Sequence, residues 1–206
     1  MFIPKYGRGD FAIFVFYRKC REMLYLNLGD NMKPETLSSK NIYKGGIFDV
    51  RIDEVREGEA EYERDVVVHK GSAVIVPVFD DGTVALVRQY RHAAGKYLLE
   101  VPAGSLDGGE SPETGAAREL EEEIGVKAAK LEKISEFYVS PGFLTEKMFV
   151  YLATELTETA QNLDKDEFIE IERIPLLDAV AMIYDGRIED AKTIVGLIIA
   201  LKNLGS

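Results

Sequence analysis

The segment from Gly104 to Val126, GSLDGGESPETGAARELEEEIGV, constrains this chain more than any other feature. In its second half, Glu119, Glu122 and Glu123 share one face of a predicted helix, because residues three and four apart are neighbours there. Exposed like charges at this spacing repel by roughly a few tenths of a kcal/mol per pair. A hard divalent cation such as Mg²⁺, which prefers oxygen ligands, would offset that repulsion. The alternative is an ordinary surface helix with a solvated acidic face.

The same segment contains the residues that begin and end this helix. Ser111 can cap its start, and Pro112 suits the first helical position. Gly125 ends it, where a left-handed backbone is needed. An apolar stripe that would bury the helix repeats every four residues, at Ala116, Leu120 and Ile124.

The spacing of the fixed residues is specific. Five residues separate Gly104 from Glu110, and seven more lead to Arg118-Glu119-Leu120, followed by Glu122-Glu123 and Gly125-Val126. This resembles the Nudix box, GX5EX7REUXEEXGU with U apolar, at every fixed position. A broader likeness runs from about residue 43 to 204. The resemblance implies an α/β protein with the Nudix α/β/α sandwich fold and a mixed β-sheet.

The resemblance also implies a metal site that uses Mg²⁺, with Mn²⁺ as a substitute. Metal ions would bridge Glu119 and Glu123 and activate a water, with Glu122 as an additional ligand, so that Glu122 and Glu123 count as catalytic. Glu110 is expected to hold Arg118 or a metal-bound water. The implied metal ligands are Ala103, through its carbonyl, Glu119, Glu122 and Glu123.

Alternating apolar residues predict strands over most of the remaining chain. An Asp80-Asp81-Gly82 hairpin turn separates two of them. Strands around a central helix, with helices at the end, indicate a mixed sheet between helices. The predicted strands are 41–55, 62–69, 73–79, 83–91, 97–101, 131–138, 147–155 and 168–174, and the later helices are 177–184 and 191–204.

Motifs outside the box resemble the ADP-ribose pyrophosphatase branch of the family. They are VRQYR at 87–91, LEVPAG at 99–104, SPG at 140–142 with Glu146, and DAKT at 190–193. The resemblance implies hydrolysis of ADP-ribose, or a related nucleoside diphosphate sugar, to AMP and ribose 5-phosphate. On its own, the SPG segment is also compatible with a plain turn.

Three arginines, one glutamate and one aromatic residue are candidates for substrate binding. Arg91 and Arg64 match positions that bind phosphate or ribose in relatives, and a guanidinium suits phosphate. Arg88 is the fallback, and surface salt bridges are the alternative for each arginine. Glu146 is assigned to the terminal ribose. Phe48 either stacks on adenine or belongs to the core.

The general base is expected in the loop NLDKDE at 162–167. Relatives supply a glutamate from this loop, but Lys165 stands where the acid is expected. Glu167 is therefore the first choice, with Asp164 or Asp166 second. A solvated acidic turn is the alternative interpretation of the loop.

The composition of the chain restricts the classes of partner that it can bind and its location. The net charge is −11, from 25 basic and 36 acidic residues, which argues against nonspecific binding to nucleic acid or to a membrane surface. No apolar stretch is long enough for a transmembrane helix. The single cysteine, Cys20, excludes an internal disulfide and favours a cytoplasmic location. His69 and His92 have no metal-like spacing and are expected to be structural or exposed.

The N-terminal segment differs from the remainder in charge balance, and we expect two parts. Residues 1–31 form a non-core extension, either an upstream translation artefact or a real appended element. Residues 32–206 form the Nudix hydrolase domain, with N-terminal strands over about 39–70 and the core over about 71–206. The resemblance further implies a homodimer with exchanged antiparallel N-terminal strands, in which Arg64 and Phe48 enter the partner's site.

Two other functions are compatible with these patterns. One is a Nudix hydrolase of another nucleoside diphosphate sugar, such as GDP-mannose. The other is a non-catalytic sensor of an ADP-ribose-type ligand, although the intact set of box glutamates argues against it.

Overall fold

The computed structural model describes residues 33–163 and 168–205. The predictions for residues 1–31 and for the loop acids Asp164, Asp166 and Glu167 lie outside these ranges. The strands are β1 (Glu35–Lys44), β2 (Asp49–Glu57), β3 (Ala60–Val68), β4 (Ser72–Pro77), β5 (Thr83–Arg91), β6 (Lys96–Glu100), β7 (Ala103–Ser105), β8 (Val126–Tyr138), β9 (Lys147–Glu158) and β10 (Ile169–Pro175). The helices are α1 (Pro112–Ile124), α2 (Leu176–Tyr184) and α3 (Ala191–Leu204).

The described residues divide into two compact units, of which the smaller comprises 33–39 and 53–63. Polar contacts hold this unit together: the Ser39 hydroxyl donates to Asp53 at 2.6 Å, and Arg56 pairs with Glu61 at 2.7 Å. The larger unit comprises 40–52 and 64–205 and contains the residues of the candidate site.

Strands β1, β2 and β3 form a sheet in that order. The prediction of one strand over 41–55 is wrong, because the chain turns at Gly45-Gly46 between β1 and β2. The Gly45 N–H donates to the Phe48 carbonyl at 3.1 Å, and a Cβ on Gly45 would lie 2.6 Å from that oxygen. Only glycine fits this close approach.

The larger unit contains a four-stranded sheet, in the order β7-β4-β9-β8, and a three-stranded sheet, in the order β10-β5-β6. The pair β4–β9 is parallel, whereas β4–β7 and β8–β9 are antiparallel, so the predicted mixed sheet is confirmed. The predicted turn at 80–82 is present, with Gly82 at φ 77°. It is the expected hairpin turn, because Val78 and Val84 form an antiparallel bridge across it and the Phe79 N–H donates to the Thr83 carbonyl at 2.9 Å. Beyond this bridge, β4 and β5 belong to different sheets.

Alternate side chains along β4 pack into two different hydrophobic cores, one on each face of its sheet. Val74 and Val76 face a core that includes residues of α2 and α3, such as Ala179 and Leu197. The odd-numbered neighbours, Ala73 and Ile75, face a second core with the α1 stripe. Because successive side chains on a strand point to opposite faces, one fully buried strand supports helices on both sides. The predicted α/β/α arrangement is therefore confirmed.

Candidate active site

The helix α1 begins and ends as its sequence predicts. The Ser111 hydroxyl accepts a hydrogen bond from the Thr114 N–H at 3.1 Å, and Pro112 occupies the first helical position. Gly125 is left-handed at φ 64°, and its N–H donates to the Glu121 carbonyl at 3.0 Å. The apolar stripe is buried against β4 and β9, and this orientation directs the acidic face toward β7.

Two carboxylates of α1 lie against the backbone of β7. Glu123 is only 3% exposed, and its Oε2 accepts a hydrogen bond from the Ala103 N–H at 3.1 Å. Glu119 is 7% exposed and lies over Gly104, where a Cβ would be 1.9 Å from its Oε1. The first glycine of the motif thus provides the space for a buried carboxylate.

Arg118 connects the remaining acids of the motif. Its Nη1 donates to Glu119 at 2.7 Å and to Glu122 at 2.9 Å. Its Nε and Nη2 donate to the two oxygens of Glu110 at 3.1 and 3.0 Å. Of the two expected partners of Glu110, Arg118 is the one that the structure shows. Glu121 does not contact Arg118 and pairs with Lys127 at 3.0 Å.

These contacts change the proton affinities of the groups. The pKa of Arg118 is raised above its usual value, chiefly by its bonds to Glu110 and, against the opposing effect of burial, by those to Glu119 and Glu122. The pKa of Glu110 is lowered, first by Arg118 and then by the Asp107 N–H. Both groups are therefore charged at neutral pH, and Arg118 provides a fixed positive charge beside the acidic face.

A cavity of about 410 Å³ opens beside β7 and the acidic helix. Its charged lining residues are Arg91, Glu123, Glu146 and Lys192, and Gln89 adds an amide. This volume lies within the range of roughly 300–1,000 Å³ that small-molecule sites occupy. The cavity therefore brings the predicted residues Arg91, Ala103, Glu123 and Glu146 together with Lys192, which the sequence analysis did not assign.

Glu100, 1% exposed, holds both cations of the cavity. Arg91 donates to it through Nε at 2.8 Å and Nη2 at 2.7 Å, while Lys192 contacts Glu100 and pairs with Asp190 at 3.0 Å. Burial by itself would raise the pKa of Glu100, but the bonds and charges of Arg91 and Lys192 outweigh it, so the pKa is lowered. Glu100 therefore stays ionised and fixes both cations at the cavity wall.

Glu146 lies on another part of the cavity wall. Its Oε1 accepts a hydrogen bond from the Ser72 hydroxyl at 2.7 Å. The loop that precedes it is fixed to the end of β3: the Val67 N–H donates to Phe143 O at 2.7 Å, and the Thr145 N–H donates to Val67 O at 2.9 Å. This pairing, which involves residues far apart in sequence, positions the carboxylate.

Phe48 lines a neighbouring pocket of about 320 Å³ together with Lys44, His69 and Lys70. It is 43% exposed, with its ring 5.8 Å from that of Tyr43. The interpretation of Phe48 as a core residue is therefore wrong. Ile47 lines both this pocket and the larger cavity, so the two are adjacent.

The structure does not bring every predicted residue to the cavity. Arg88 points to the other face of β5, where it lies 3.7 Å from Glu172 and 5.8 Å from the centre of the Tyr97 ring. Arg64 is exposed on β3 and does not line the cavity. Strand alternation separates Arg88 from Arg91, because residues an odd number apart face opposite sides.

Lys192, Glu100 and Gln89 are the site residues that sequence reasoning missed. Lys192 and Glu100 lie in the DAKT and LEVPAG motifs, and Gln89 lies between the two candidate arginines in VRQYR. Glu100 is the charged residue in the otherwise apolar end of the predicted strand 97–101, and this signal could have identified it, because a charge in a buried strand requires partners.

Residues 69–195 match the NUDIX domain family model. The chain belongs to the Nudix family. It is 39% identical over 167 residues to ADP-ribose pyrophosphatase from Bacillus subtilis (strain 168), covering 79% of this chain and 90% of that protein. It is also 37% identical over 182 residues to GDP-mannose pyrophosphatase from Yersinia pestis (strain Pestoides F), covering 81% of this chain and 88% of that protein.

The fold resembles the crystal structure of an ADP compounds hydrolase, with a TM-score of 0.74 and 24% sequence identity. The match covers 86% of this chain and 97% of the other. Among the described residues, no helix is long and apolar enough to cross a membrane.

Nudix hydrolases generally use divalent metal ions. As arranged, no three His, Cys, Asp or Glu side chains in the described part of the chain form a metal cluster, and Arg118 lies between Glu119 and Glu122 instead. The donor set nevertheless fits a hard cation, because two buried carboxylates converge on the β7 backbone at Ala103 and Gly104. Bound metal would share Glu119 and Glu122 with Arg118.

Proposed function

We propose that this protein hydrolyses the pyrophosphate bond of nucleoside diphosphate sugars, with ADP-ribose as the preferred substrate and AMP and ribose 5-phosphate as products. The observation that carries the proposal is the cavity in which Glu123 and the β7 backbone meet Arg91 and Lys192. Glu123, one of the carboxylates that can hold a metal ion, lies there beside cations that can face phosphate oxygens.

The balance of charges supports a metal-dependent reaction. Arg91 and Lys192 are both bonded to Glu100, and Lys192 is also paired with Asp190. Glu123 and Glu146 add two carboxylates to the same cavity. An anionic diphosphate would meet no surplus of positive charge in this cavity, so divalent cations are needed for binding as well as for chemistry. Mg²⁺ is the proposed ion, with Mn²⁺ as a substitute.

Each residue then has a role that follows from its contacts. When bound to Glu119, Glu122, Glu123 and the Ala103 carbonyl, Mg²⁺ would lower the pKa of a water ligand and neutralise charge on the diphosphate. Glu110 holds Arg118, which orients Glu119 and Glu122. The Nε and Nη2 of Arg91 are used by Glu100, which leaves Nη1 as the donor for a phosphate oxygen.

The preference for ADP-ribose rests on the motifs beyond the box. Identities of 39% and 37% to the ADP-ribose and GDP-mannose enzymes are too similar to separate the two substrates. The 140–142 loop with Glu146 favours ADP-ribose, with Glu146 facing the terminal ribose. Phe48 and its pocket are the proposed site of the adenine, where an exposed aromatic ring can stack on a base.

The proposed general base is Glu167. It follows Gln161 and Asn162 in the sequence, and both of these residues contact α1. These residues donate to the carbonyls of Glu123 at 2.6 Å and of Glu122 at 3.0 Å. Gln161 and Asn162, which precede residues 164–167 in the sequence, therefore lie beside the acidic helix, and this supports a catalytic acid from the loop.

The experiment is a panel of substrates with the purified full-length chain and Mg²⁺. ADP-ribose, ADP-glucose, GDP-mannose, NADH and 8-oxo-dGTP are compared by product chromatography and phosphatase-coupled phosphate release. We expect ADP-ribose to give the highest kcat/KM, with AMP as product. A preference of about tenfold or more for GDP-mannose would establish the alternative substrate, and no turnover of any compound would exclude the hydrolase.

We further propose a homodimer formed through the N-terminal strands. Every residue of β1 is exposed, including Leu37, Ile42 and Tyr43, and this strand is at the edge of its sheet. Such an edge is a template for pairing with another chain. Light scattering should give the mass of a dimer for the full chain.

The same measurement tests the proposed domain limits. A chain that starts at Met32 should also form the dimer and should keep kcat/KM within about threefold of the full chain, a difference below about 1 kcal/mol. A monomer at micromolar concentration would contradict the dimer. Insoluble truncated protein would show instead that residues 1–31 belong to the domain.

A further inference from the structure

His69, which follows β3, contacts two parts of the candidate site, the end of β7 and the segment at Thr145. The Ser105 hydroxyl lies 3.3 Å from its Nε2, at the end of β7. Its main-chain N–H donates to the Thr145 hydroxyl at 2.9 Å, and that hydroxyl in turn lies 3.1 Å from the His69 carbonyl. Its ring thus lies between the strand that carries the metal-facing backbone and the segment that carries Glu146.

The hydrogen bonds of the ring define its tautomer. The Gly71 N–H donates to Nδ1 at 3.1 Å, so Nδ1 acts as an acceptor and the proton is on Nε2. Nε2–H then donates to the Ser105 hydroxyl. The Glu146 carboxylate is 3.7 Å from Nδ1, and it accepts instead from Ser72. The side chain of His69 is 8% exposed, so water does not substitute for these partners.

The turn at Gly71 makes this arrangement specific. Gly71 is left-handed at φ 98°, and a Cβ there would lie 3.0 Å from the Lys147 carbonyl. Its carbonyl accepts from the Leu106 N–H at 3.0 Å, which is a second link to the end of β7. The imidazole and the turn together join β7 to the segment at Thr145 and Glu146.

We propose that His69 is a positioning residue of the active site. Its neutral imidazole, bonded to Gly71 and Ser105, holds β7 at a fixed distance from Glu146. This distance separates the backbone that receives Glu119 and Glu123 from the carboxylate at the sugar end of the cavity. The inference rests on the proposed hydrolase function, because the distance matters only if one substrate spans both groups.

Two conservative variants separate the two ring nitrogens. His69→Gln places an amide donor near the position of Nε2 and can keep the Ser105 bond. His69→Asn places an oxygen near Nδ1 and keeps the Gly71 bond, but it loses Ser105. We expect His69→Asn to lower kcat by about tenfold or more with a smaller change in KM, and His69→Gln to stay within about threefold of wild type.

A double-mutant cycle with Ser105→Ala tests the contact itself. If His69 acts through Ser105, Ser105→Ala lowers kcat to the same extent as His69→Asn, and the double variant loses no more than either. His92→Asn is the matched control, because His92 is exposed and outside the cavity, and it should keep wild-type kcat. The inference would be overturned if the losses in kcat of the two single variants multiplied in the double variant. It would also be overturned if His69→Asn kept the wild-type kcat.

NMR of the two imidazoles supplies a readout that is independent of turnover. The ¹⁵N shifts of His69, assigned by comparison with His92→Asn, should show a protonated Nε2 and an unprotonated Nδ1 near neutral pH. The opposite tautomer would overturn the inference even in an active enzyme. If wild type hydrolyses none of the panel, the proposed function fails and the inference falls with it, whereas active wild type with an equally active His69→Asn refutes the inference alone.

Discussion

The carboxylate of Glu119 occupies the space beside Gly104 in which any other residue would have its side chain. A Cβ built on Gly104 lies 1.9 Å from Oε1 and 2.4 Å from Oε2 of Glu119. Both atoms would overlap with the Cβ, and a carboxylate that is 7% exposed has little room to move away. The glycine and the glutamate of the motif are therefore a matched pair.

Gly104→Ala should displace Glu119 and lower kcat by at least about 10²-fold, because a catalytic group moved by about 1 Å loses its productive geometry. Mn²⁺ affinity, measured by calorimetry or EPR, should weaken in parallel. Gly108→Ala is the matched control: it is in the same loop and nothing lies within 4 Å of its added Cβ. Full activity in Gly104→Ala would contradict the role assigned to this contact.

The sequence predicts α1 and its acidic face well because all the determinants are local. The cap at Ser111, the stripe and the left-handed Gly125 act within one segment, and each is present in the structure. The resemblance of the segment to the family motif also implies that Glu110 holds Arg118 or a metal-bound water, and the structure shows the contact with Arg118. Short-range rules of this kind need no knowledge of the tertiary fold.

The contacts of the two cations that line the cavity, Arg91 and Lys192, are not predicted by local sequence rules. Glu100 and Lys192 are 92 positions apart in sequence, and their contact depends on how α3 packs against the sheet. The assignment of Arg91 but not Arg88 to the cavity depends on which face of β5 turns inward. Pairings over such distances are set by the packed core, and propensities and motif spacing do not encode them.

Glu123→Gln should lower kcat by at least about 10²-fold, because the carboxylate loses its charge where metal charge stabilises the transition state. The amide oxygen can still accept from the Ala103 N–H, and repulsion with Glu119 is relieved. The melting temperature without metal should therefore stay level or rise. Retained activity with a large fall in melting temperature would mean that Glu123 is structural.

Glu100 should make stability depend on pH in the acidic range. Its pKa is lowered in the folded protein, so its contribution is complete above the unfolded value, about 4.3, and is lost as the pH falls through that value toward the folded pKa. Glu100→Gln should lower the free energy of unfolding near neutral pH by about 3 kcal/mol, because two cations lose a buried partner. Urea denaturation at several pH values should show that the variant loses less stability than wild type on acidification.

Glu172→Gln provides the control for this measurement. Glu172 lies 3.7 Å from Arg88 on the exposed face of β5, and both side chains are well solvated. Its replacement should lower the free energy of unfolding by less than about 1 kcal/mol, because exposed ion pairs contribute little. Equal effects of the two variants would show that Glu100 contributes no more than a surface ion pair.

Glu167→Gln tests the proposed general base. Loss of a general base typically costs about 10²–10⁴-fold in rate, so kcat should fall by at least about 10²-fold while KM changes little. Asp166→Asn, the neighbouring acid and second choice, serves as the comparison and should retain most of the activity. If Asp166→Asn or Asp164→Asn shows the large loss instead, the base is that aspartate, and if none of the three variants is impaired, the water is activated without an acid from this loop.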